Sequence, residues 1–373
     1  MTLYLVAGEA SGDSRGAELM RALRDRIPGV QFLGAGGREM RQLGGPAIFD
    51  WAGEAVVGFW DVLKKYAYFR GQFHRMLAEI AAAKPDALIT IDYPGFNMRL
   101  ARAARKRFPG LRTIHYVSPQ VWAWHRGRIP KMAKFLDLML CLFPFELPLY
   151  ADAGLRAVCV GHPLLDSLEE KRRVQPRDPS LVALLPGSRG KEVRRIFPVM
   201  ADAAMRLRES NPALRFEAAA VSDTLAGEMR AILRTRGPGE SLCPVTVRTA
   251  HDLMQRAGAG MVCSGTATLE SAFFGLPMVI LYKITWLTYA VARQVLRIPH
   301  IGLPNVLAGR EIAREFIQSA ARPGPIAGAI RGLLENAPAR EAQQRALAAV
   351  IASLGERGAA QRAADAIAAM LPV

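Results

Sequence analysis

The chain has 373 residues and carries 49 Lys and Arg against 33 Asp and Glu, a formal net charge of +16. About half of the residues are apolar and 22% are charged, which is typical of folded proteins and excludes an intrinsically disordered chain. The length predicts about two domains, and the lack of a continuous apolar run of about 18 residues argues against a transmembrane helix. Met1–Gly8 lacks the basic stretch of a signal peptide and is expected to form a buried strand. The four cysteines form no C-x-x-C pair, which disfavours a zinc knuckle or a disulfide framework and favours a reducing cytoplasm.

The positive charge is spread over both halves of the chain rather than collected in a tail. Charge of this kind favours anionic partners, which include nucleic acid, phosphorylated small molecules and an anionic membrane surface. Charge alone does not choose among them.

Short apolar runs alternate with helical patterns along the whole chain. The predicted strands are Leu3–Ala7, Gln31–Gly34, Ala87–Ile91, Thr113–Val117, Leu136–Leu142, Ala157–Val160, Leu181–Leu185, Arg215–Ala220, Val245–Thr249, Gly260–Cys263 and Met278–Leu281. The predicted helices are Ala17–Arg26, Met76–Ala83, Leu100–Phe108, Phe197–Ser210, Thr224–Arg236, one near Asp252–Ala257 and one from Thr266. This alternation predicts an α/β protein with two doubly wound parallel sheets and right-handed crossovers.

The charged and Pro-rich stretch 169–179 interrupts the alternation and is the predicted linker. It separates an N-terminal domain, 1–168, from a C-terminal domain, 180–338. The Ala- and Arg-rich tail, 339–373, is predicted to be helical.

Several unusual segments follow strands of the first half, where parallel sheets bind ligands. Gly8–Asp13 lets a backbone approach a ligand closely, although a Gly-rich turn is often only a turn. No G-x-G-x-x-G motif occurs, which disfavours a dinucleotide site. Asp92 leaves a buried strand, where a carboxylate can act as a general base or simply form a turn. Tyr116–His125 carries two tryptophans that can wall a cleft or pack in a core.

Two segments of the second half suit phosphate binding. Leu184–Glu192 places Arg189 between glycines after a strand, either beside a diphosphate or as a solvated loop charge. Ser264–Glu270 opens a helix whose free N–H groups form an anion site, and Glu270 can accept hydrogen bonds from a ribose. The alternative is a simple helix cap with Glu270 in solvent.

The segment Gly58–Leu77 has aromatic and apolar residues at helical spacing with flanking cations. This pattern fits an interfacial membrane helix or an acyl-chain groove, and equally a helix packed on its own sheet. The residues predicted to contact acyl chains or membrane are Phe59, Trp60, Leu63, Tyr66, Phe69 and Phe73.

Taken together, these segments resemble the lipid A disaccharide synthase family, glycosyltransferases of the GT-B type. The resemblance runs in order from residue 3 to about residue 316. It is carried by Val6–Asp13, Asp92–Asn97, His115–Trp124, Phe143–Glu146, Gly161–Pro163, Leu184–Gly190, Ser264–Glu270 and Leu303–Glu311. It implies two Rossmann-like domains that face each other across a cleft, with the tail 339–373 packed back on the N-terminal domain. It also implies transfer of diacylglucosamine from UDP-2,3-diacylglucosamine to 2,3-diacylglucosamine 1-phosphate, with inversion, to give a β-1,6-linked disaccharide 1-phosphate and UDP.

The resemblance also implies roles for single residues. Asp92 aligns with the residue proposed as the general base of the family, and Arg189 aligns with an arginine that the family needs for activity. Gly95 stands where many members have a second acidic residue. The donor or UDP side comprises Gly187, Ser188, Arg189, Ser264, Gly265, Thr266, Glu270 and Asn305. The acceptor side comprises Gly8, Glu9, Ser11, Gly12, Asp13, Asn97, Ser118 and Trp122. GT-B enzymes need no bound metal, so no metal or other cofactor is expected.

The competing hypothesis is another GT-B enzyme acting on UDP-N-acetylglucosamine, either a 2-epimerase or a peptidoglycan-type transferase. A nucleic-acid binder is disfavoured because the charge is even and the best motifs are phosphate loops. The expected location is the cytoplasm, peripheral on the inner face of the inner membrane, with the anionic bilayer as partner. A homodimer is left open.

Overall fold

The computed structural model describes residues 1–51, 66–122, 126–236, 239–285 and 299–371. The chain divides into two compact units. The first unit is Met1–Asp166 with Glu356–Val373, and the second is Ser167–Gly355. Each unit is a parallel sheet covered by helices, as the alternating pattern predicts.

Within the described residues, the sheet of the first unit has seven parallel strands in the order β3-β2-β1-β4-β5-β6-β7. Its strands are β1 (Thr2–Ala7), β2 (Gln31–Gly36), β3 (Ile48–Asp50), β4 (Ala87–Ile91), β5 (Arg112–Tyr116), β6 (Leu138–Cys141) and β7 (Ala157–Cys159). The chain builds outward from β1 in one direction and from β4 in the other. Ligands of such sheets bind where the order reverses, beyond the carboxyl ends of the strands. Here that point carries the loops after Ala7 and Ile91.

The helices of the first unit are α1 (Ala10–Arg26), α2 (Arg38–Gly44), α3 (Tyr66–Ala83), α4 (Pro94–Arg107), α5 (Ile129–Met132), α6 (Leu147–Ala151) and the last helix of the chain, α15 (Ala359–Ala368). Helix α7 (Leu164–Glu169) contains the point at which the first unit ends and the second begins. Helix α15 packs on α1. The Asp166 carboxylate accepts hydrogen bonds from the N–H groups of Gly358 (2.8 Å) and Ala359 (3.3 Å) and so caps α15. The last helix is therefore part of the first unit.

Within the described residues, the second unit has a six-stranded parallel sheet in the order β10-β9-β8-β11-β12-β13. Its strands are β8 (Asp178–Leu185), β9 (Arg215–Ala220), β10 (Val245–Val247), β11 (Ala257–Cys263), β12 (Met278–Tyr282) and β13 (Glu315–Ile317). Its helices are α8 (Gly190–Ser210), α9 (Asp223–Arg234), α10 (Ala250–Arg256), α11 (Thr266–Phe273), α12 (Leu303–Ala308), α13 (Pro323–Glu335) and α14 (Ala337–Ala352). The order reverses between β8 and β11, which places the loops after Leu185 and Cys263 side by side.

The division of the chain differs from the predicted one at the linker and at the tail. Residues 169–177 are tied to the second unit, where the Arg177 guanidinium donates to the carbonyls of Met254 (2.8 Å) and Ala257 (2.7 Å). The tail 339–373 is not one body, because α14 packs on α11, α12 and α13 in the second unit. Only α15 returns to the first unit.

Among the helices of the described ranges, none combines the length and the apolar character needed to cross a membrane.

Candidate active site

The loop after β4 holds the predicted base in a strained backbone. Asp92 and Tyr93 both have positive φ, at 52° and 45°. Conformations of this kind cost about 1–3 kcal/mol for residues other than glycine and persist only where neighbours fix them. The Asp92 N–H donates to the Tyr116 carbonyl at 2.9 Å. Strain at a strand end of the sheet's reversal point marks Asp92 as a functional candidate.

The Asp92 carboxylate is paired and still reachable from solvent. Its Oδ2 lies 2.6 Å from a guanidinium nitrogen of Arg15, and its Oδ1 accepts from the Tyr93 N–H at 2.9 Å. The Asp92 side chain is 29% exposed. Arg15 had been missed in the sequence. The available signal was its place on the helix that opens at the Gly8–Asp13 motif.

Two residues that were predicted to contact the acceptor substrate, Asn97 and Gly8, support the loop after β4. Asn97 is fully buried and its amide nitrogen donates to the carbonyls of Asp92 (2.7 Å) and Ile91 (3.1 Å). Gly8 faces the Tyr93 ring so closely that a Cβ on Gly8 would lie 2.4 Å from Cδ1 of that ring. Both residues therefore shape the position of Asp92 rather than line an open surface.

The remaining residues of the first motif divide into buried and accessible ones. Asp13 is 5% exposed, and its carboxylate accepts from the N–H groups of Gly37 (2.7 Å), Glu39 (2.9 Å) and Met40 (3.0 Å) at the start of α2. In this structure the Asp13 carboxylate is engaged in capping α2, and its contact with the acceptor substrate stays a prediction. Gly12 is buried as well. Glu9 is half-buried and Ser11 is exposed, so these two remain accessible at the start of α1.

The loop after β5 is built around a buried hydroxyl. Ser118 is 8% exposed, and its Oγ lies 2.7 Å from the Tyr150 hydroxyl. This internal hydrogen bond engages the side chain that was predicted to contact the acceptor substrate. The Trp122 ring meets Phe145 edge-on, with centroids 5.5 Å apart. Glu146 is 1% exposed beside them, and burial raises its pKa to about 7. Glu146 lies in a segment that carries the family resemblance, but no sequence pattern assigns it a role.

His162 follows β7 and is too weak a base to take up a proton at neutral pH. It is 6% exposed, and its Nδ1 accepts from the Leu164 N–H at 3.1 Å. Burial, helped by the positive charge of Arg15, lowers its pKa to about 3. The imidazole is therefore neutral in the working range of most enzymes.

In the second unit, the loop after β8 presents a cation at a helix start. Gly187 has φ +106°, and a Cβ there would meet Oε2 of Glu192 at 2.6 Å. Ser188 is exposed, and Arg189 is the N-cap residue of α8 with 64% of its side chain exposed. One guanidinium nitrogen lies 2.9 Å from Oε1 of Glu192. An exposed ion pair of this kind contributes about 0–1 kcal/mol and can be exchanged for a ligand anion.

The loop after β11 opens helix α11 without a side-chain cap. Gly265 is the N-cap, with φ +143°, and both Gly265 and Thr266 are exposed. Ser264 does not cap the helix; its hydroxyl donates to the Ile301 carbonyl at 3.1 Å. Oε2 of Glu270 lies 3.3 Å from Nε2 of His251, a partner that sequence reasoning missed.

Asn305 is the predicted donor residue that the structure removes from the surface. It is fully buried, and its amide nitrogen donates to the Ala313 carbonyl (2.6 Å) and to Oε1 of Glu315 (2.8 Å). Its amide oxygen accepts from the N–H groups of Ile312 (2.8 Å) and Ala313 (2.9 Å). These contacts satisfy the whole amide in this structure, and the contact of Asn305 with UDP stays a prediction. Its role is to fold the 302–315 turn.

The aromatic helix α3 packs on its own unit where it is described. Phe69 is half-buried, and its ring lies 6.1 Å from Trp51 and 6.4 Å from Phe96. Phe73 is half-buried too and lies 5.9 Å from Phe96. These two predicted membrane residues thus belong to the edge of the core. Tyr66 begins α3, and Phe59, Trp60 and Leu63 lie outside the described residues.

In the ranges that the structure describes, no group of three or more His, Cys, Asp or Glu side chains could hold a metal ion.

Comparison with known sequences gives a consistent set of relatives. A family model described as lipid-A-disaccharide synthetase matches residues 3–370. The lipid-A-disaccharide synthase of Trichlorobacter lovleyi is 39% identical, over 99% of this chain and 97% of the relative. That of Syntrophus aciditrophicus is 41% identical over 97% and 96%, and that of Pseudomonas aeruginosa is 38% identical over 90% of each chain.

Solved structures with the same fold are more distant in sequence. MurG of Acinetobacter baumannii has a TM-score of 0.60 at 13% identity and covers 99% of each chain. The MnaA–UDP co-structure from S. aureus has a TM-score of 0.63 at 12% identity, over 98% of this chain and 95% of that one. At such identities the likeness shows the GT-B fold alone.

Proposed function

Because this chain belongs to the lipid-A-disaccharide synthetase family, and is thus a glycosyltransferase of lipid A synthesis, we propose the reaction between UDP-2,3-diacylglucosamine and 2,3-diacylglucosamine 1-phosphate. The acceptor 6-hydroxyl attacks C1 of the donor sugar while the bond from C1 to the diphosphate breaks. The products are the β-1,6-linked disaccharide 1-phosphate and UDP. A single in-line displacement inverts the configuration at C1.

The alternative, an enzyme acting on UDP-N-acetylglucosamine without acyl chains, shares only the fold. The relatives that are 38–41% identical carry the lipid-A-disaccharide synthase name, whereas the UDP-GlcNAc 2-epimerase of Neisseria meningitidis is 11% identical. The main proposal is therefore favoured.

In this proposal Asp92 accepts the proton of the acceptor hydroxyl. The observation that carries the assignment is the solvent-reachable carboxylate, held in one orientation by Arg15 at a strained strand end. A general base must be fixed within hydrogen-bond reach of the proton that it removes, and the ion pair supplies that fixation. As the hydroxyl attacks, its proton passes to a carboxylate oxygen and the bonding electrons of C1–O leave with UDP.

The donor diphosphate is proposed to bind in the second unit. Arg189 and the exposed backbone N–H groups that begin α8 and α11 offer positive charge and donors to its oxygens. These groups stabilise the charge that develops on the leaving UDP. Glu270 is proposed to accept from a ribose hydroxyl while His251 holds its Oε2. No metal ion is required in this scheme, so EDTA should leave turnover unchanged; loss of turnover that Mg²⁺ restores would contradict it.

The test is turnover of the two lipid substrates by purified variants. Asp92→Asn should lower kcat about 10²–10⁴-fold, the usual share of a general base. Arg189→Ala should lower kcat about 10²–10³-fold, because a positive charge that stabilises the leaving diphosphate is lost. A variant that keeps full activity would refute the role of its residue.

Matched controls exist for both variants. Asp137 forms a comparable part-buried ion pair with Arg105 in the same unit but precedes β6, at the opposite end of the sheet from Asp92. Arg208 lies in the last turn of the same helix as Arg189 and is exposed. Asp137→Asn and Arg208→Ala should therefore leave kcat within about threefold, because neither residue lies at the strand ends to which the proposal assigns the substrates. Equal losses in test and control would indicate a general effect on folding.

We further propose that the enzyme works while bound to an anionic bilayer, which the net charge of +16 and the lipid substrates favour. Sedimentation with vesicles containing about one third anionic lipid should capture the protein at low salt, and neutral vesicles should not. Equal recovery with both vesicle types would reject an electrostatic attachment.

A further inference from the structure

Glu146 is a buried carboxyl group that the proposed mechanism does not use. It closes the short 3₁₀ turn Pro144–Glu146 after β6 and is 1% exposed. Its Oε2 accepts from the N–H groups of Leu142 (3.2 Å) and Phe143 (3.1 Å). Burying a carboxylate is costly, so its neighbours must favour the charged form.

Those neighbours come from the loop Val117–Trp122, which follows β5. The Trp122 ring packs edge-on against Phe145, the neighbour of Glu146 in the same turn, with ring centroids 5.5 Å apart. Ser118 and Trp122 both lower the pKa of Glu146, against the larger upward effect of burial. The indole N–H is buried and falls short of hydrogen-bond geometry with any acceptor in the described residues. Ser118 is held in turn by the Tyr150 hydroxyl at 2.7 Å. The loop Val117–Trp122 is thus packed against the segment that carries Glu146.

The loop needs such support because its backbone is strained. Val117 has φ +76°, and a β-branched residue in the left-handed region is rare and costs about 1–3 kcal/mol. The loop also begins one residue beyond Tyr116, whose carbonyl accepts the Asp92 N–H. A shift of the loop would therefore be passed on to the Asp92 backbone.

We propose that Glu146 is a positioning residue, whose carboxylate anchors Ser118 and Trp122 and so holds the loop Val117–Trp122 beside Asp92. The proposal rests on the proposed function of Asp92. A carboxylate only accepts hydrogen bonds and therefore suits several neighbouring donors. A protonated carboxyl or an amide places a donor of its own against them. The other titratable groups facing Glu146 are the Cys141 and Cys159 thiols and the Tyr150 phenol, and burial raises the pKa of all three. Glu146 is therefore the group that changes charge near neutral pH.

The experiment follows the Trp122 indole resonance of the full chain by ¹⁵N NMR, assigned with Trp122→Phe. In the wild type, its chemical shift should titrate with a midpoint near 7, the pKa of Glu146. Glu146→Gln should abolish that titration. The same variant should lower kcat/KM roughly tenfold to a hundredfold at pH 8, because a small displacement of a reacting group is enough for that. The loss should shrink at pH 6, where the wild-type carboxyl is mostly protonated.

Glu79→Gln is the matched control, since Glu79 accepts from the Tyr4 hydroxyl at 2.6 Å in the same unit and does not face the loop. It should keep both the Trp122 titration and the wild-type kcat/KM. A Trp122 titration that survives in Glu146→Gln, or an unchanged kcat/KM at pH 8, would overturn the proposal. The NMR measurement needs no substrate, so it separates this outcome from a failure of the proposed transfer reaction.

Discussion

The buried Glu146 should make the stability of the first unit fall as pH rises. Its pKa is raised from the ordinary 4.5 to about 7 in the folded protein, with burial as the largest cause. Between these two values the folded chain holds a proton that the unfolded chain has released. The stabilising contribution is therefore complete below pH 4.5 and is lost as pH rises through 7.

The magnitude follows from the shift. One pKa unit corresponds to about 1.4 kcal/mol, so a shift from 4.5 to about 7 is worth about 3 kcal/mol at alkaline pH. The Glu146 side chain is almost fully buried, so solvent screening takes little from this figure. Glu146→Gln removes the titration and should leave the variant more stable than the wild type at pH 8.5. Its advantage should grow by about 2.5 kcal/mol between pH 5 and pH 8.5.

The assay is urea unfolding at several pH values, followed by tryptophan fluorescence. Four of the five tryptophans fall within residues 1–166, so the signal reports mainly on the first unit. Glu79→Gln serves as the control and should keep the wild-type pH dependence. A stability difference between Glu146→Gln and wild type that stays constant from pH 5 to pH 8.5 would refute the linkage. A more stable but less active variant would show that this carboxylate is retained for function at a cost in stability.

Three further substitutions test how the structure supports the site. Gly8→Ala should lower kcat at least tenfold, because its Cβ would push the Tyr93 ring and with it the base; wild-type kcat would show that the ring moves freely. Asp166→Ala should cost about 1–2 kcal/mol and speed amide exchange in Ala359–Ala368, whose cap it removes; unchanged exchange there would contradict the capping role. Asn305→Ala should destabilise the second unit by about 2–4 kcal/mol through four lost hydrogen bonds; a stable variant that has lost only UDP affinity, by calorimetry, would restore the ligand role.

The central strands could be predicted because they are buried on both faces. Such strands are mostly apolar, and Ala87–Ile91 is buried at every position. The predicted strands Ala87–Ile91 and Arg215–Ala220 have the same bounds in the structure. The edge strands Ile48–Asp50 and Glu315–Ile317 were missed. Each has three residues and too little periodicity to be detected, and each becomes a strand only by pairing with β2 or β12.

The contacts of the predicted site residues could not be read from the sequence. Asp13 and Asn305 are predicted to contact ligands. In the structure, the side-chain oxygens of both accept hydrogen bonds from backbone N–H groups whose proximity the sequence cannot show. Arg15 pairs with Asp92 across 77 positions, and no local pattern connects them. Polar side chains at strand ends serve ligands or loops, and only their three-dimensional neighbours decide which.

By itself the sequence determined two parallel α/β units and the family, because buried strands and glycine-rich turns leave local patterns. The tertiary structure alone decided that the last helix completes the first unit, that Arg15 orients Asp92, and that a buried Glu146 lies behind a strained loop. These features depend on contacts between residues far apart in the chain, and the burial that sets the pKa of Glu146 exists only once those contacts form.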